Sequence, residues 1–557
     1  MEKAKMTRRT FVTGAAVAGV SLAGASLLAA CKEDKKEEGG GGEVEVDKTG
    51  GTFKYYINEP AYIDPYNMQE SEGIQVGSQI FDSLLDYDYR TEQLIPAAAA
   101  SYDINEDATV FTFHLQPGAK FHNGDPVTAA DFKRAWERLC NPNIADPPSE
   151  ISYHLAQVLG YEEMNELETA TELEGVVVID ELTLEVTLSD PYADFVYVVT
   201  HPALGPVPAA AEDFEAFTEA PIGNGPFMID GKWEHDQYIR VLRFDDYYGD
   251  KPFIDGVDFN IIEEVEVAFN EFLADNLDFT MIPPGRIEDC IADYGSSKDG
   301  FVANPGEQTL LGPEISTYYI VINNENEYLS NIKLREAISY AINRQAICEI
   351  VFQGVRVPAD GIIPPGIAGY RTGVWKTSLY DEEKAIEALA EAGFPEGEGL
   401  PVFKLSYNTG GAHQSIMELI QSDLKKIGIE TELDSMEWAT YLDTLSAGNY
   451  HMGRLGWIVD YPIMENFLFP LFYTGNGDNR SFYSNIEADE AILAARGITD
   501  NAERIAAYQA VDDIIQSTTP VAPVMFYRHS RVTSVRVNNF YFGPSMIPDL
   551  VNTWLTK

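Results

Sequence analysis

Nucleophilic, metal-binding and phosphate-binding sites each impose a spacing on the residues that build them, and this sequence carries none of the familiar ones. Cys140, Cys290 and Cys348 stand far apart, without C-x-x-C or metal-ligand spacing. They read as buried, inert thiols, not as a zinc site, a redox pair or a disulfide framework. The eight histidines fall singly, at 114, 122, 154, 201, 235, 413, 451 and 529, which suggests no metal cluster. A G-x-x-x-x-G-K-[ST] loop, an H-E-x-x-H pair, a G-x-S-x-G elbow and a G-x-G-x-x-G fingerprint are all missing, so no cofactor is expected. What remains is carboxylate chemistry, because 89 Asp and Glu face 38 Lys and Arg and leave a formal net charge of −51. Acid pairs for glycoside hydrolysis have no fixed spacing, so a hydrolase stays open as a distant alternative. Nucleic acid is excluded as a partner, since phosphate binding needs basic surface and no basic stripe occurs. The acidity reads as a solvated, self-repelling surface.

One cysteine has a setting of a different kind. Lys3, Lys5, Arg8 and Arg9 open the chain, Phe11 to Ala30 carry no charge, and Cys31 follows at a sharp turn to KEDKKEEGGGG. That order is a targeting segment, read as residues 1–30. Thr7-Arg8-Arg9-Thr10-Phe11-Val12 resembles a twin-arginine export signal, with Thr13 where that pattern usually has Lys. Leu28-Ala29-Ala30-Cys31 resembles a lipobox, which implies that Cys31 is diacylated on sulfur and becomes the new N-terminus. Residues 31–49 are charged, rich in glycine and poor in apolar residues, and read as a flexible tether between lipid and body.

The body begins near Gly50. With 45% hydrophobic and 11% aromatic residues the chain as a whole is far too apolar to stay unfolded. Strand-like and helical stretches alternate without a repeat, which points to an α/β architecture. Phe111 to Leu115 alternate as a half-buried strand and stop at Pro117-Gly118. After the turn Asn123-Gly124-Asp125, Thr128 caps a helix through Leu139 with Asp131 in its first turn. Thr183 to Leu188 alternate as a strand. Leu334, Ile338, Ala341, Ile342 and Ile347 keep helical spacing, as do Ile416, Leu419, Ile420 and Leu424 before a stop at Gly428.

These segments carry a resemblance that runs through almost the whole body: Asp64-Pro65, Ile80-Phe81-Asp82-Ser83-Leu84, FTFHLQPGAKFHNGDPVTAADF at 111–132, LTLEVTLSDP ending at Pro191, GNGPFMI at 223–229, Asp246-Tyr247-Tyr248-Gly249, YYIVINN at 318–324, LREAISYAINRQAI at 334–347 and Arg454-Leu455-Gly456-Trp457-Ile458-Val459-Asp460-Tyr461. Together they resemble the bacterial extracellular solute-binding proteins of family 5, which include the oligopeptide- and dipeptide-binding lipoproteins of ABC importers. The resemblance implies a two-lobed flytrap of the periplasmic-binding-protein type II kind, with an extra domain inserted in the first lobe. Lobe I is expected at 50–85, 191–312 and 528–557, the insertion at 86–190 and lobe II at 313–527. It also implies a monomer, held extracytoplasmically on the cell membrane by its lipid, that hands short peptides to permease subunits.

An extended peptide needs a carboxylate for its α-amine and a cation for its α-carboxylate. The resemblance implies that Asp460 meets the amine, although an acid before Tyr461-Pro462 would ordinarily be an exposed turn residue. Arg454 matches a position that meets the carboxylate of short peptides. His413 matches one that meets the carboxylate of longer peptides. Trp457 is expected as a pocket wall and Tyr527 as a further contact. Ile458 stands where some relatives carry a disulfide-forming Cys, so that bond is lost here. Other members of the family carry nickel chelates, haem or oligosaccharides in the same cleft, and these are the alternatives. A purely adhesive surface protein is a third reading, and it would have no closed cleft.

Overall fold

The computed structural model describes residues 48–409 and 412–557. The leader, Cys31 and the tether as far as residue 47 lie outside the described residues. Two large sheets organise the body. The first has seven strands, with Thr52–Ile57 at its centre paired in parallel to Gly256–Ile261. The second has six strands, with Pro313–Ile322 between Val521–Arg528 and Met452–Ile458.

The strand Pro313–Ile322 explains why the second sheet is covered on both faces. Its YYIVI run has no polar residue to give to solvent, and alternation sends consecutive side chains to opposite sides. Tyr318, Ile320 and Ile322 enter one core with helices Ile332–Ala341 and His413–Lys426. Ile315, Tyr319 and Val321 enter another with helices Glu465–Phe472, Ile486–Arg496 and Asn501–Gln516. Helix, sheet and helix therefore form three layers. Helix His413–Lys426 ends before Gly428, whose φ of +90° favours glycine.

The helical spacing from Leu334 to Ile347 is interrupted. One helix ends at Ala341 and another runs Arg344–Phe352. Asn343 breaks the run by capping the second helix, its side-chain oxygen accepting from the Ala346 amide at 3.0 Å. The Arg344 guanidinium turns inward and donates to the carbonyls of Ser339 (2.9 Å), Ile342 (3.1 Å) and Pro523 (2.6 Å). Those bonds satisfy carbonyls that the break would otherwise orphan.

A third sheet joins Ala99–Ile104, Val110–Leu115, Thr183–Thr187 and Val176–Asp180. Helix Ala129–Cys140 packs on it, opened by the Asp131 carboxylate, which accepts from both the amide and the hydroxyl of Thr128 at 2.8 Å. Phe111, Phe113, Phe132 and Trp136 of this region share one continuous core with Phe53 and Phe259 of the first sheet.

The chain passes between the two large sheets twice, at Leu311-Gly312 and at His529-Ser530. The passages lie side by side: His529 N donates to the Gly312 carbonyl at 3.1 Å and Arg528 Nη2 to the Leu311 carbonyl at 2.7 Å. Burial, reinforced by Arg531 and Arg528, pushes His529 down to about 3, so its ring is neutral.

A buried ion pair ties the early loop to the third-sheet helix. Arg138 donates from Nη1 and Nη2 to the two oxygens of Asp64 at 2.7 and 2.6 Å, with Asp64 1% and Arg138 8% exposed. Its guanidinium also lies 4.8 Å from the Phe214 ring centroid. Removing the acid leaves a buried guanidinium without its countercharge, so Asp64→Ala is expected to cost about 3–5 kcal/mol. Urea titration followed by tryptophan fluorescence should show a clear fall in midpoint. Asp103→Ala, which breaks only the exposed contact with His114, should leave the midpoint within error.

Candidate functional site

A cleft of about 1370 Å³ opens where the two passages meet the ends of the large sheets. Its walls come from the loops after Thr52–Ile57, from Arg528, Ser530 and Arg531 around the second passage and from the end of strand Met452–Ile458. In a chain with so few cations, the cleft has Arg356, Arg454, Arg480, Arg528 and Arg531 in its lining and no lysine among the described residues. Asp460, Arg454, Trp457 and Tyr527 all line it, while His413 does not.

Strand Met452–Ile458 positions the acid. Gly456 pairs opposite Tyr318, and a Cβ there would come within 2.6 Å of the Tyr527 hydroxyl. Glycine at 456 is thus what lets Tyr527 lie against the strand. Beyond the strand, Asn466 orients the carboxylate: Asp460 N donates to Asn466 Oδ1 at 3.0 Å, and Asn466 Nδ2 donates to Asp460 Oδ2 at 2.8 Å. The same Oδ1 accepts from Trp457 Nε1 at 3.3 Å. Asn466 is fully buried, so both side chains are fixed by a group with no freedom of its own.

No cation among the described residues pairs with Asp460. Burial pushes its carboxyl up to about 7, the Asn466 bond works against that rise, and the negative neighbours Asp478 and Glu465 add to it.

Arginines that make no ion pair among the described residues stand elsewhere in the same lining, where burial raises the Glu314 carboxyl and the charges of Arg531 and Arg356 work against that rise. Arg454 is 8% exposed, donates from Nε to Asn408 Oδ1 at 2.7 Å and lies 5.2 Å from the Trp438 ring centroid. Arg356 is held between the rings of Phe352 and Tyr527, at 4.1 and 4.4 Å. Neither makes an ion pair among the described residues. Arg356 follows the tight turn Gln353-Gly354 after a short helix, and no local pattern in the sequence distinguishes it. Asn466 was equally invisible, because its partners are fixed only when helix Glu465–Phe472 folds back on the strand. His413 stacks on Tyr318 with ring centroids 5.9 Å apart. Burial first, then Arg454 and Arg356, push it down to about 3, so it is a neutral ring behind the arginines. Ile458 has no thiol, and the body's cysteines are free and buried.

A cleft that holds an unpaired acid and unpaired guanidinium groups, all partly stripped of water, is suited to a solute with an ammonium and a carboxylate.

The family model for bacterial extracellular solute-binding proteins, family 5 (middle region), matches residues 93–479. The chain belongs to that family. This family 5 protein is 30% identical to the oligopeptide-binding protein OppA of Bacillus subtilis, across 88% of this chain and 90% of that one. It is 27% identical to the heme-binding protein A of Haemophilus influenzae, across 95% of this chain and 97% of that one. Among solved structures it is similar to the Haemophilus influenzae OppA complex with RPPGFSPFR, with a TM-score of 0.76 and 27% identity over 91% of this chain and 99% of that one. The fold is the two-lobed type II binding-protein fold expected from the sequence.

Because Asp460 is raised above its usual carboxylate value of 3.8, the folded protein binds a proton there that the unfolded chain has lost. This group therefore favours folding at low pH and gives up that contribution as pH rises through about 7. A ¹³C titration of the Asp460 carboxyl should show a midpoint near 7, and Asn466→Ala should move it higher. A midpoint near 4 would contradict the burial argument.

Proposed function

We propose that this family 5 protein captures short peptides outside the cytoplasm and delivers them to the permease of an ABC importer. The observation that carries the reading is the presence within one cleft of an acid that makes no ion pair among the described residues, Asp460, and of cations that make none, Arg454 and Arg356. Either charge alone would suit many ligands. Together they suit a zwitterion whose ends are held apart by a backbone, the peptide lying extended with its α-amine at Asp460 and its α-carboxylate toward the arginines. Relatives named for oligopeptides support the same reading.

The reading extends to the whole chain. After export, Cys31 carries the lipid and residues 31–49 let a monomeric body move above the membrane. Segments 50–85, 191–312 and 528–557 form one lobe with 86–190 inserted, and 313–527 form the other. The lobes turn about the two passages at 311–312 and 529–530, and closure dries the cleft around the ligand. His413 comes into play only for peptides long enough to reach past Arg454.

Closure around a peptide leaves its ammonium beside Asp460 and away from water. Asp460→Ala should then cost about 2–5 kcal/mol of binding, roughly thirtyfold to several thousandfold in affinity. Isothermal titration with a free tripeptide checks this, and a change of only a few fold would contradict it. N-acetylation of the same peptide removes the charge from the other side and should weaken binding to a similar degree.

A further inference from the structure

The guanidinium groups that face the peptide's α-carboxylate in this reading stand in apolar company. Arg454 lies 5.2 Å from the Trp438 ring centroid and Arg356 lies 4.1 Å from that of Phe352. The two arginines share one region of the cleft, since after burial both of their charges act on His413 and on Tyr527. Val351 and Val355, beside Phe352 and Arg356 in the chain, line the cavity with them. The facing wall comes from the first sheet. Met281 pairs opposite Arg531 there, and after burial Arg531 and Arg356 both act on Glu314. Ile287 opens the helix Ile287–Tyr294 a few residues on, and both Met281 and Ile287 line the cavity. Between them, a Cβ on Gly285 would come within 3.8 Å of Nε2 of Gln353, the residue after Phe352. The two walls thus meet at the arginine end of the cleft.

Trp438 is the side chain that points to an occupant. It lines the cavity and is 46% exposed, whereas its ring neighbour Tyr441, 6.1 Å away, is fully buried. A large ring left open to water gains from an apolar group laid against it. Met281, Ile287, Val351, Phe352 and Val355 are each only partly buried, so a group of some size would cover surface on both walls. Glu263, Glu264 and Glu266 belong to the same lining, but they are exposed and can keep their water. The arginines in this region restrict the occupant further, because its apolar part has to lie next to an anion. The last residue of a peptide meets that condition, since its side chain and its carboxylate share one carbon.

We propose that the peptide taken by this cleft ends in a large apolar residue, its α-carboxylate at Arg454 and Arg356 and its side chain against Trp438, Phe352 and Met281. This rests on the peptide reading above and names the ligand class within it.

The test is isothermal titration of the mature protein with Ala-Ala-Phe, Phe-Ala-Ala and Ala-Ala-Ala, and with the corresponding pentapeptides. At one length at least, the peptide ending in Phe should bind about tenfold more tightly than the all-alanine peptide, or better, while Phe at the first position should stay within about threefold of it. Trp438→Ala should bring the ratio of the Phe-ended to the all-alanine affinity below about threefold. That ratio is insensitive to any loss at Arg454, because both peptides present the same carboxylate. Val351→Ser, on a different helix, should also lower the ratio and serves if the first variant folds poorly. Equal binding of the Phe-ended and all-alanine peptides overturns the apolar subsite and leaves the peptide reading standing. An equal gain from Phe at the first position overturns its place beside the arginines, and a ratio that persists in both variants overturns the assignment to these walls. Failure of every peptide to bind overturns the peptide reading itself.

Discussion

A carboxyl partly removed from water, with no cation to face, ionises only at a cost, and much of the architecture around residue 460 holds that group in place. Asn466 grips it from a position with no exposure. Its neighbour Glu465 is itself fully buried and is anchored to Arg496, which donates to it from Nε at 3.0 Å. Tyr461 donates to the same Glu465 at 3.2 Å and inserts its ring into the core of the other sheet. The site is thus pinned by a chain of buried polar contacts, so the acid cannot swing away to find solvent. A cation that would let it ionise fully does not come from the described residues.

That requirement makes the relation between the two sheets important. The passages at 311–312 and 529–530 are short and paired, which suits a rotation about them better than a sliding motion. Away from the passages the bodies touch through a second set of contacts. Arg504 pairs with Asp194 at 2.8 Å, both nearly fully buried, Tyr508 donates to the same Asp194 at 3.3 Å, and the Ala193 amide donates to the Arg496 carbonyl at 3.0 Å. Burial pushes Asp194 up to about 6 against the opposing pull of Arg504. Arg496 also lies 4.6 Å from the Tyr192 ring centroid. The residue that buttresses the site through Glu465 therefore also touches the facing body, and occupation of Asp460 and contact between the bodies act on the same few side chains.

The sequence was most informative where local chemistry decides structure. The cap at Thr128 and Asp131, the strand at 111–115 and the stop at Gly428 each depend on neighbours a few residues away, and they fold as their residue types dictate. The helical spacing from Leu334 to Ile347 misled by a single break, because Asn343 competes for a backbone amide and the buried Arg344 finds carbonyls in strand Val521–Arg528 that no local pattern announces. The α/β class and the family were legible from motifs spread along the chain. The cleft was legible in part: Asp460, Trp457 and Arg454 lie on or just beyond one strand and come together through its pairing with Pro313–Ile322. Asn466 and Arg356 reach the site from outside that strand, and their importance lies in what they do or do not touch, which spacing cannot encode.

Native mass spectrometry of the mature protein, purified without denaturation and then mildly unfolded to release its guest, tests the central claim most directly. A cleft with unmatched charges of both signs should retain a ladder of short peptides with free α-amines, visible as adducts that vanish on unfolding. A single non-peptide guest such as haem, or adducts that survive in Asp460→Ala at the same occupancy, would contradict it.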